Sequence, residues 1–130
     1  MISKVTIQVI NALRELSNAS TGEYKSVAFV AKRINAPQEY LGKMLQRFVR
    51  EQIVSSQKGL NGGYSLAKKP DEIRLYDIVS QIEDLSRLEG CFMGRSVCSN
   101  EESCAAHKRW EVVRKTYKEF LLNTTIADLK

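Results

Sequence analysis

The chain has 130 residues, of which 43% are hydrophobic and 27% charged. This composition is typical of one globular domain and excludes a disordered tail, a collagen-like rod and a coiled-coil rod. No apolar stretch approaches the roughly 20 residues that cross a bilayer, and polar residues interrupt the N-terminal segment, so neither a spanning helix nor an export signal is predicted. A cytoplasmic protein is therefore expected.

The charges are distributed unevenly along the chain. The 20 basic and 15 acidic residues give a net charge of +5. Residues 1–70 contain 11 basic and 4 acidic side chains, a net charge of +7, whereas residues 71–130 contain 9 and 11, a net charge of −2. Lysine and arginine release counterions from phosphates, so the basic half is the candidate surface for a polyanion. Many basic proteins bind no nucleic acid, so this inference needs a motif.

The N-terminal half has the pattern of three helices. Apolar residues in the range 5–16 recur at three- and four-residue steps, which predicts a first helix. After a turn-rich stretch at 17–25, Ser26 is a suitable N-cap for a short second helix that reaches Ile34. Pro37 suits the first turn of a third helix, because its missing N–H would have no partner there. The apolar stripe of this third helix is Leu41, Met44, Leu45, Phe48 and Val49.

The opposite face of the third helix is polar and cationic. Its members are Gln38, Glu39, Lys43, Gln46, Arg47 and Arg50. On an isolated helix such a face is normally just the solvated side. Two short helices joined by a few residues, the second with a cationic outer face, instead indicate a helix-turn-helix. We therefore interpret the third helix as a DNA recognition helix.

A glycine-rich β-hairpin follows the third helix. Two β-prone runs begin at Ile53 and Tyr64. The residues predicted to supply positive φ between them are Gly59, Asn61, Gly62 and Gly63. Lys58 lies at the predicted tip, and Lys68 and Lys69 follow the second strand. A hairpin that only closes a domain has no need of a basic tip, so we interpret this hairpin as the wing of a winged helix-turn-helix.

The winged domain is predicted to end near residue 84. A short edge strand is expected at residues 73–75, followed by a helix whose apolar residues continue to Ile82. Tyr76 is expected at the start of that helix as a core residue.

All three cysteines and the only histidine lie within 17 residues. Cys91, Cys98 and Cys104 are separated by six and five residues, and His107 follows Cys104 after two. An odd number of cysteines without an export signal argues against a disulfide framework. If Cys104 begins a helix, the i,i+3 spacing places it on the same face as His107. Thiolate and imidazole suit zinc or an iron–sulfur cluster, and the alternative is three thiols and a surface histidine without a metal.

A long helical segment follows Cys104. It has no breaker before Asn123, and its apolar stripe is Trp110, Val113, Tyr117, Phe120 and Leu121. Because the winged domain is complete before this helix, no surface of the same chain is expected to cover the stripe. A second copy of the helix in a C2 dimer is the natural partner, and such a dimer suits two-fold DNA half-sites. Thr125 and Asp128 form a predicted capping pair for a last short turn.

The sequence resembles the winged-helix transcription regulators of the IscR, NsrR and CymR type, over essentially the whole chain. The most specific parts are the wing VSSQKGLNGGYSLAKKPDEIRLYDIV and the cysteine-containing loop before a long helix, with EYLGKMLQRFVREQ as recognition helix and TTIADL as tail. The resemblance implies a cytoplasmic bacterial homodimer whose long helices cross. The predicted fold is mainly α with a small β-hairpin wing (α+β). Its regions are a winged helix-turn-helix domain at 1–84, a cysteine-rich cluster-binding loop at 85–103, and a dimerisation helix with its tail at 104–130.

The resemblance also implies an iron–sulfur site. Cluster-bearing members hold a 2Fe–2S or 4Fe–4S centre in a three-cysteine loop, and Cys91, Cys98 and Cys104 match those ligands. His107 matches the fourth ligand of the IscR-like members. Some members that sense nitric oxide take a carboxylate ligand from the partner subunit's first helix, where this chain has Gln8. A 2Fe–2S centre with a histidine ligand is therefore favoured.

Residues of the recognition helix and wing match DNA-contacting positions of this family. Tyr40 and Lys43 match recognition-helix positions, and Lys58 matches the basic wing residue that enters the minor groove. The candidate readers in the major groove are Gln38, Tyr40, Lys43 and Gln46. The residues expected in the minor groove are Lys58 and Asn61, and those expected on phosphate are Arg47 and Lys68. Gly42 replaces an acidic residue of IscR-like members, which implies a different DNA preference.

These features favour a dimeric regulator of a palindromic operator, controlled by an iron–sulfur cluster that senses redox, nitric oxide or iron–sulfur status. One alternative is a regulator without a cluster that senses thiol redox state or a small metabolite. Another is a zinc-bearing interaction module. An enzyme is not predicted. The chain has one histidine, no C-x-x-C redox motif and no phosphate-binding loop, so no set of nucleophile, base and orienting group can be assembled from it.

Overall fold

The computed structural model of the protein describes residues 2–20, 22–93 and 106–130, apart from the side chain of Arg87. In chain order the helices and strands are α1 (Lys4–Leu16), α2 (Val27–Ile34), α3 (Gln38–Arg50), β1 (Val54–Gln57), β2 (Gly63–Leu66), α4 (Leu75–Ile82) and α5 (His107–Asn123). Short 3-10 turns span Pro70–Glu72, Leu85–Leu88 and Ala127–Leu129. This architecture confirms the predicted fold class.

The ends of the first three helices follow from local chemistry. The Ser26 hydroxyl accepts a hydrogen bond from the Phe29 backbone N–H at 3.1 Å, so α2 begins where predicted. Asn35 ends α2 in the left-handed region, with φ of 55°. Pro37 has an extended ψ of 126° and is the N-cap of α3. The prediction that Pro37 lies in the first turn of α3 is therefore wrong by one residue.

One core joins the helices, the wing base and the C-terminal tail. Its largest fully buried side chains are Phe48, Leu13, Leu41, Leu45, Ile73, Ile78, Leu121 and Ile126. Leu121 lies on α5 and Ile126 in the tail, and Tyr117 and Trp110 of α5 also pack within the chain. The expectation that nothing in the chain covers the α5 stripe is therefore wrong, except for the half-exposed Val113 and Phe120. Apolar side chains there complete the core beneath α4.

The wing is an antiparallel pair whose register runs from Val54 opposite Leu66 to Gln57 opposite Gly63. The tip is shaped by two left-handed glycines, Gly59 with φ of 107° and Gly63 with φ of 141°. Asn61 and Gly62 do not have positive φ, contrary to prediction. Gly62 is needed for space, because a Cβ there would lie 2.2 Å from the Gln57 carbonyl oxygen.

A single residue before α2 extends the wing sheet. The Lys25 N–H donates to the Tyr64 carbonyl, and the Tyr64 N–H donates to the Lys25 carbonyl, both at 2.8 Å. A Cβ on Gly63 would lie 2.2 Å from the Lys25 carbonyl oxygen, so glycine permits this close approach. The bridge fixes the wing to the segment that begins the helix-turn-helix.

The predicted edge strand at residues 73–75 is absent from the described structure. Arg74 instead forms an isolated bridge with Thr125. The Leu75 N–H donates to the Thr124 carbonyl at 2.8 Å, and the Ile126 N–H donates to the Ile73 carbonyl at 2.9 Å. The tail, and not the wing sheet, therefore pairs with this segment.

The C-terminal elements agree in part with prediction. The backbone N–H of Thr125 donates to the Asp128 carboxylate at 2.8 Å, which confirms the capping pair. The described part of the last helix begins at His107, and Cys104 lies outside the described residues, so a helix start at Cys104 stays a prediction. Among the described residues, no helix has both the length and the apolar character of a membrane span.

Candidate DNA interface and metal site

The outward face of α3 lies beside the wing. Gln38, Lys43 and Gln46 line one open groove together with Val27 of α2 and Tyr64 of β2. The side chains of the three predicted readers are exposed. The structure thus brings them together on the surface where a helix-turn-helix meets the major groove.

A direct hydrogen bond links this face to the wing. The Gln46 side-chain nitrogen donates to the Tyr64 hydroxyl at 2.8 Å. The backbone of Tyr64 in turn pairs with Lys25. These two contacts therefore join the recognition helix, the wing and Lys25.

Two further residues of the α3 face were not among the predicted DNA contacts. Glu39 and Arg50 line the same groove as Lys43. A carboxylate can accept a hydrogen bond from the cytosine amino group, and arginine can reach guanine or phosphate. The spacing 39, 43, 46, 50 follows one helix face, so this signal was present in the sequence.

The other predicted DNA contacts lie around this centre. Tyr40 is on the flank of α3, in a second groove with Lys4, Asn35 and Pro37. Arg47 is exposed on the same helix, and Lys58 and Asn61 are exposed at the wing tip.

Lys68 lies apart from the recognition groove. It lines a separate groove between the wing and the segment after α1. Burial opposes ionisation of Asp77, but hydrogen bonds and charge from Arg74, with the charge of Lys68, lower the pKa of Asp77. The structure therefore does not group Lys68 with the α3 readers.

The two described candidate metal ligands are both buried. Cys91 is 3% exposed and His107 is 4% exposed. The Met93 backbone N–H donates to Cys91 Sγ at 3.4 Å. His107 begins α5, and its Nε2 lies 3.5 Å from a carboxylate oxygen of Glu111 one turn later.

Trp110 connects the environments of these two residues. Its indole N–H donates to the Gly90 carbonyl at 2.9 Å, and its ring lies 5.4 Å from that of Phe92, centroid to centroid. Gly90 and Phe92 are the chain neighbours of Cys91, and His107 precedes Trp110 by three residues on the helix. Cys91 and His107 therefore both lie at the N-terminal end of α5.

The same helix face holds the segment before Cys91 at two more points. The Arg114 guanidinium donates to the Leu88 carbonyl at 3.4 Å, and Lys118 pairs with Glu89. The hydrogen bond from Lys118 lowers the pKa of Glu89, and the same bond raises the pKa of Lys118. Residues 110, 114 and 118 follow four-residue spacing, and we call this set the α5 strap.

The other two candidate ligands, Cys98 and Cys104, lie outside the described residues. Within the described ranges, no group of three or more His, Cys, Asp or Glu side chains is placed to hold a metal ion. The structure therefore describes two of the four predicted ligands, Cys91 and His107.

The fold and the exposed α3 face agree with a family comparison. The model of the family Rrf2, described as iron-dependent transcriptional regulator, matches residues 2–130. The chain belongs to the Rrf2 family. It is thus a DNA-binding transcription regulator, which confirms the resemblance to the IscR and CymR type and the prediction that it is not an enzyme.

Relatives of this Rrf2-family regulator are also named as transcriptional regulators. A protein of Aquifex aeolicus named as an HTH-type transcriptional regulator is 34% identical over 102 residues, 77% of this chain and 71% of the relative. The regulator IscR of Klebsiella pneumoniae is 26% identical over 129 residues, 99% of this chain and 78% of IscR.

A solved structure shares the whole fold. CymR, the global cysteine regulator of Bacillus subtilis, superposes with a TM-score of 0.81 at 27% identity, covering 99% of this chain and 95% of CymR. This chain is therefore similar both to IscR and to the cysteine regulator CymR.

Proposed function

We propose that this Rrf2-family regulator is a cytoplasmic homodimer whose binding to a palindromic operator is controlled by an iron–sulfur cluster. The proposed ligands are Cys91, Cys98, Cys104 and His107, with a 2Fe–2S centre favoured over 4Fe–4S. The observation that carries the proposal is the burial of Cys91 and His107 at one end of α5.

The described ligands fit such a centre in chemistry and surroundings. Thiolate sulfur and imidazole nitrogen are established ligands of 2Fe–2S centres. The Met93 N–H donates to Cys91 Sγ at 3.4 Å, and hydrogen bonds to ligand sulfurs are among the features that tune such centres. Glu111 beside His107 provides the carboxylate partner that commonly orients a ligating histidine. Burial of both residues limits the access of solvent.

The α5 strap links these ligands to the rest of the protein. Trp110 and Arg114 hold the backbone on the N-terminal side of Cys91, while the C-terminal end of α5 inserts Leu121 into the winged-domain core. When bound, a cluster would supply a centre that changes with redox state, nitric oxide or iron supply. A displacement of residues 88–92 would act on α5 and hence on the orientation of the two DNA-binding domains.

The DNA-contacting roles are assigned by position. Gln38, Tyr40, Lys43 and Gln46 face the major groove, Lys58 and Asn61 face the minor groove, and Arg47 and Lys68 contact phosphate. Gln38, Lys43 and Gln46 lie on exposed surface beside the wing, as two-fold docking on half-sites requires, whereas Tyr40 lies on the flank of α3. Regions 1–84, 85–103 and 104–130 are the proposed DNA-binding, cluster-binding and dimerisation parts.

The outer face of α5 supports a homodimer. Val112 is 65% exposed, and Val113 and Phe120 are each 50% exposed. Together with Thr116 they follow helical spacing along one side of α5, away from the α5 strap. Large apolar side chains in such a row indicate a protein-protein contact. The proposed partner is α5 of a second copy.

A second candidate function is thiol or metabolite sensing without a cluster. It is supported by the similarity to CymR, which is described as a global cysteine regulator. In this case the same cysteines would respond to oxidation, or the region around the α5 strap would bind a small ligand.

An anaerobic absorption spectrum with iron and sulfide analysis distinguishes the two candidates. The cluster proposal predicts charge-transfer bands in the visible range and matching iron and sulfide, which disappear in Cys98→Ala and Cys91→Ser. Ser80→Ala, an exposed position on α4, is the matched control and should keep the bands. A protein that stays colourless after anaerobic reconstitution would contradict the cluster and leave thiol or metabolite sensing.

A further inference from the structure

An apolar side chain projects from the tip of the cationic wing. Leu60 exposes 103% of its reference accessible area, so the protein itself leaves it uncovered. Its sequence neighbours are Lys58, two residues before it, and Asn61. The wing tip therefore presents a fully exposed leucine between a cation and a polar amide.

The tip holds Leu60 in a defined position. The Gly62 N–H donates to the Gly59 carbonyl at 3.0 Å and closes the turn. Gly59 and Gly63 have positive φ, and the backbone around Gly62 leaves no room for a side chain. Because this hydrogen bond joins the residues on either side of positions 60 and 61, a tight turn presents the leucine.

The groove beside the tip combines apolar side chains with charges of both signs. Leu60, Asn61 and Phe29 line one open groove, and the Lys25 ammonium lies 4.8 Å from the Phe29 ring centroid. Lys25 is bridged to the wing through Tyr64. Glu23 lines the same groove and lies 3.9 Å from the Lys25 ammonium, so a partner at the tip would meet the cation of Lys58 beside exposed apolar side chains.

We propose that Leu60 enters the minor groove of the operator and packs its side chain against the deoxyribose walls. The minor groove is about 6 Å wide, has phosphates on both rims and is lined by sugar carbons. Leucine is among the apolar residues that proteins insert there. Lys58 would then lie at the phosphates while Leu60 provides apolar contact, so the two residues have separable effects. This inference rests on the proposed docking of the wing on DNA.

The proposal is tested with a labelled DNA duplex that is first selected from a random-sequence pool by binding to the wild-type protein. The affinity of each variant for this duplex is then measured. Leu60→Ala removes a side chain that DNA would cover in the complex, so it should weaken binding by the dimer about tenfold. The dependence of affinity on salt should stay unchanged, because no charge is removed. Leu60→Met, which restores a long apolar side chain, should recover most of the affinity. Equal affinities of the wild type and Leu60→Ala would overturn the proposal, as would a methionine variant as weak as the alanine variant.

Hydroxyl-radical footprinting identifies the groove, because it reports the exposure of sugars along the minor groove. The wild type should protect a short run of sugars flanking each half-site, and Leu60→Ala should lose this protection. Unchanged protection would overturn the proposed position of Leu60.

Lys58→Ala separates failure of this inference from failure of wing docking itself. If the wing docks, Lys58→Ala weakens binding and reduces the salt slope by about one for each lysine–phosphate pair that the substitution removes. An unchanged salt slope would count against docking of the wing. A reduced slope in Lys58→Ala with an unaffected Leu60→Ala would overturn only the role of Leu60. Because Leu60 is uncovered in the folded chain, its variants are expected to fold normally.

Discussion

The side-chain nitrogen of Gln46 lies 2.8 Å from the Tyr64 hydroxyl, to which it donates a hydrogen bond. Gln46 is on the exposed face of α3 and Tyr64 is on the second strand of the wing. Since the backbone of Tyr64 also pairs with Lys25, this side-chain contact ties the orientation of the recognition helix to that of the wing. The two DNA-reading elements are therefore expected to act as a unit.

Tyr64→Phe removes this link while keeping the ring. We expect operator affinity to fall severalfold at an unchanged salt slope, because the substitution removes a neutral positioning hydrogen bond of about 0.5–1.5 kcal/mol. Fluorescence anisotropy over a range of salt concentrations measures both quantities.

A double-mutant cycle supplies the control for this effect. In the Gln46→Ala background, Tyr64→Phe should have little further effect, because its hydrogen-bond partner is already gone. Additive losses in affinity would show that the two side chains act independently.

Gly42 lies within α3, where nothing in the fold requires glycine. A Cβ there would lie 3.8 Å from Val27 Cγ2, an ordinary contact. Gly42→Ala should raise the free energy of unfolding by about 0.5–1 kcal/mol, because alanine is the better helix former. The same methyl group on the reading face should weaken operator binding severalfold, because it prevents close approach of DNA.

Urea unfolding and anisotropy measure these opposite effects of Gly42→Ala. Gly63→Ala is the contrasting variant and should destabilise the fold, because φ is 141° and the Lys25 carbonyl oxygen blocks the Cβ. If Gly42→Ala binds the operator as tightly as the wild type, DNA does not approach the helix at this position.

Glu83 connects the end of α4 to the start of α1. Its carboxylate accepts hydrogen bonds from the Ser3 backbone N–H at 2.9 Å and the Thr6 hydroxyl at 2.5 Å. Hydrogen bonds from Ser3 and then Thr6 lower the pKa of Glu83 from 4.5 to about 2. Because the folded-state pKa is the lower one, the contribution to stability is present above pH 4.5 and is lost as the pH falls towards about 2.

Glu83→Gln should therefore lower the free energy of unfolding at neutral pH and reduce its decline between pH 4.5 and about 2. Chemical unfolding at a series of pH values measures this difference. Glu119→Gln, at an exposed position on α5, is the control and should follow the wild-type curve. Parallel curves for Glu83→Gln and the wild type would contradict a stabilising role of the ionised Glu83 carboxylate.

Phe120→Glu tests the proposed dimer surface. The side chain is half exposed in the single chain, so the fold should survive, whereas a charge buried between two apolar helices should dissociate the dimer. Sedimentation velocity should show a monomer for Phe120→Glu and a dimer for Lys115→Glu, a charge change at an exposed residue on the side of α5 that carries the ion pair with Glu111. A dimeric Phe120→Glu protein would exclude this face as the interface.

The helix-turn-helix could be predicted because its signals are local. The stripe that contains Leu41, Leu45 and Phe48 has helical spacing, and Ser26 is a strong N-cap. The polar face that includes Gln38 and Lys43 followed from the same spacing, although Glu39 and Arg50 on that face were not predicted as DNA contacts.

The remaining features depend on contacts between distant residues. The Lys25–Tyr64 bridge involves one residue in a turn-rich segment, where no periodic pattern marks a strand. Residues 73–75 look like an edge strand from composition alone, but their hydrogen bonds go to the C-terminal tail. The approach of Gly90 and Phe92 to Trp110 likewise depends on tertiary packing and could not be predicted from spacing.

The most direct test of cluster control compares operator affinity of one protein preparation with and without its cluster. Anaerobic anisotropy would be measured on reconstituted protein and again after removal of iron by a chelator, with Cys98→Ala treated in parallel. We predict that loss of the cluster changes the wild-type Kd by about 5- to 150-fold, the usual range of coupling between two sites, and leaves Cys98→Ala unchanged. An identical wild-type Kd before and after verified loss of the cluster would contradict control of DNA binding by this centre.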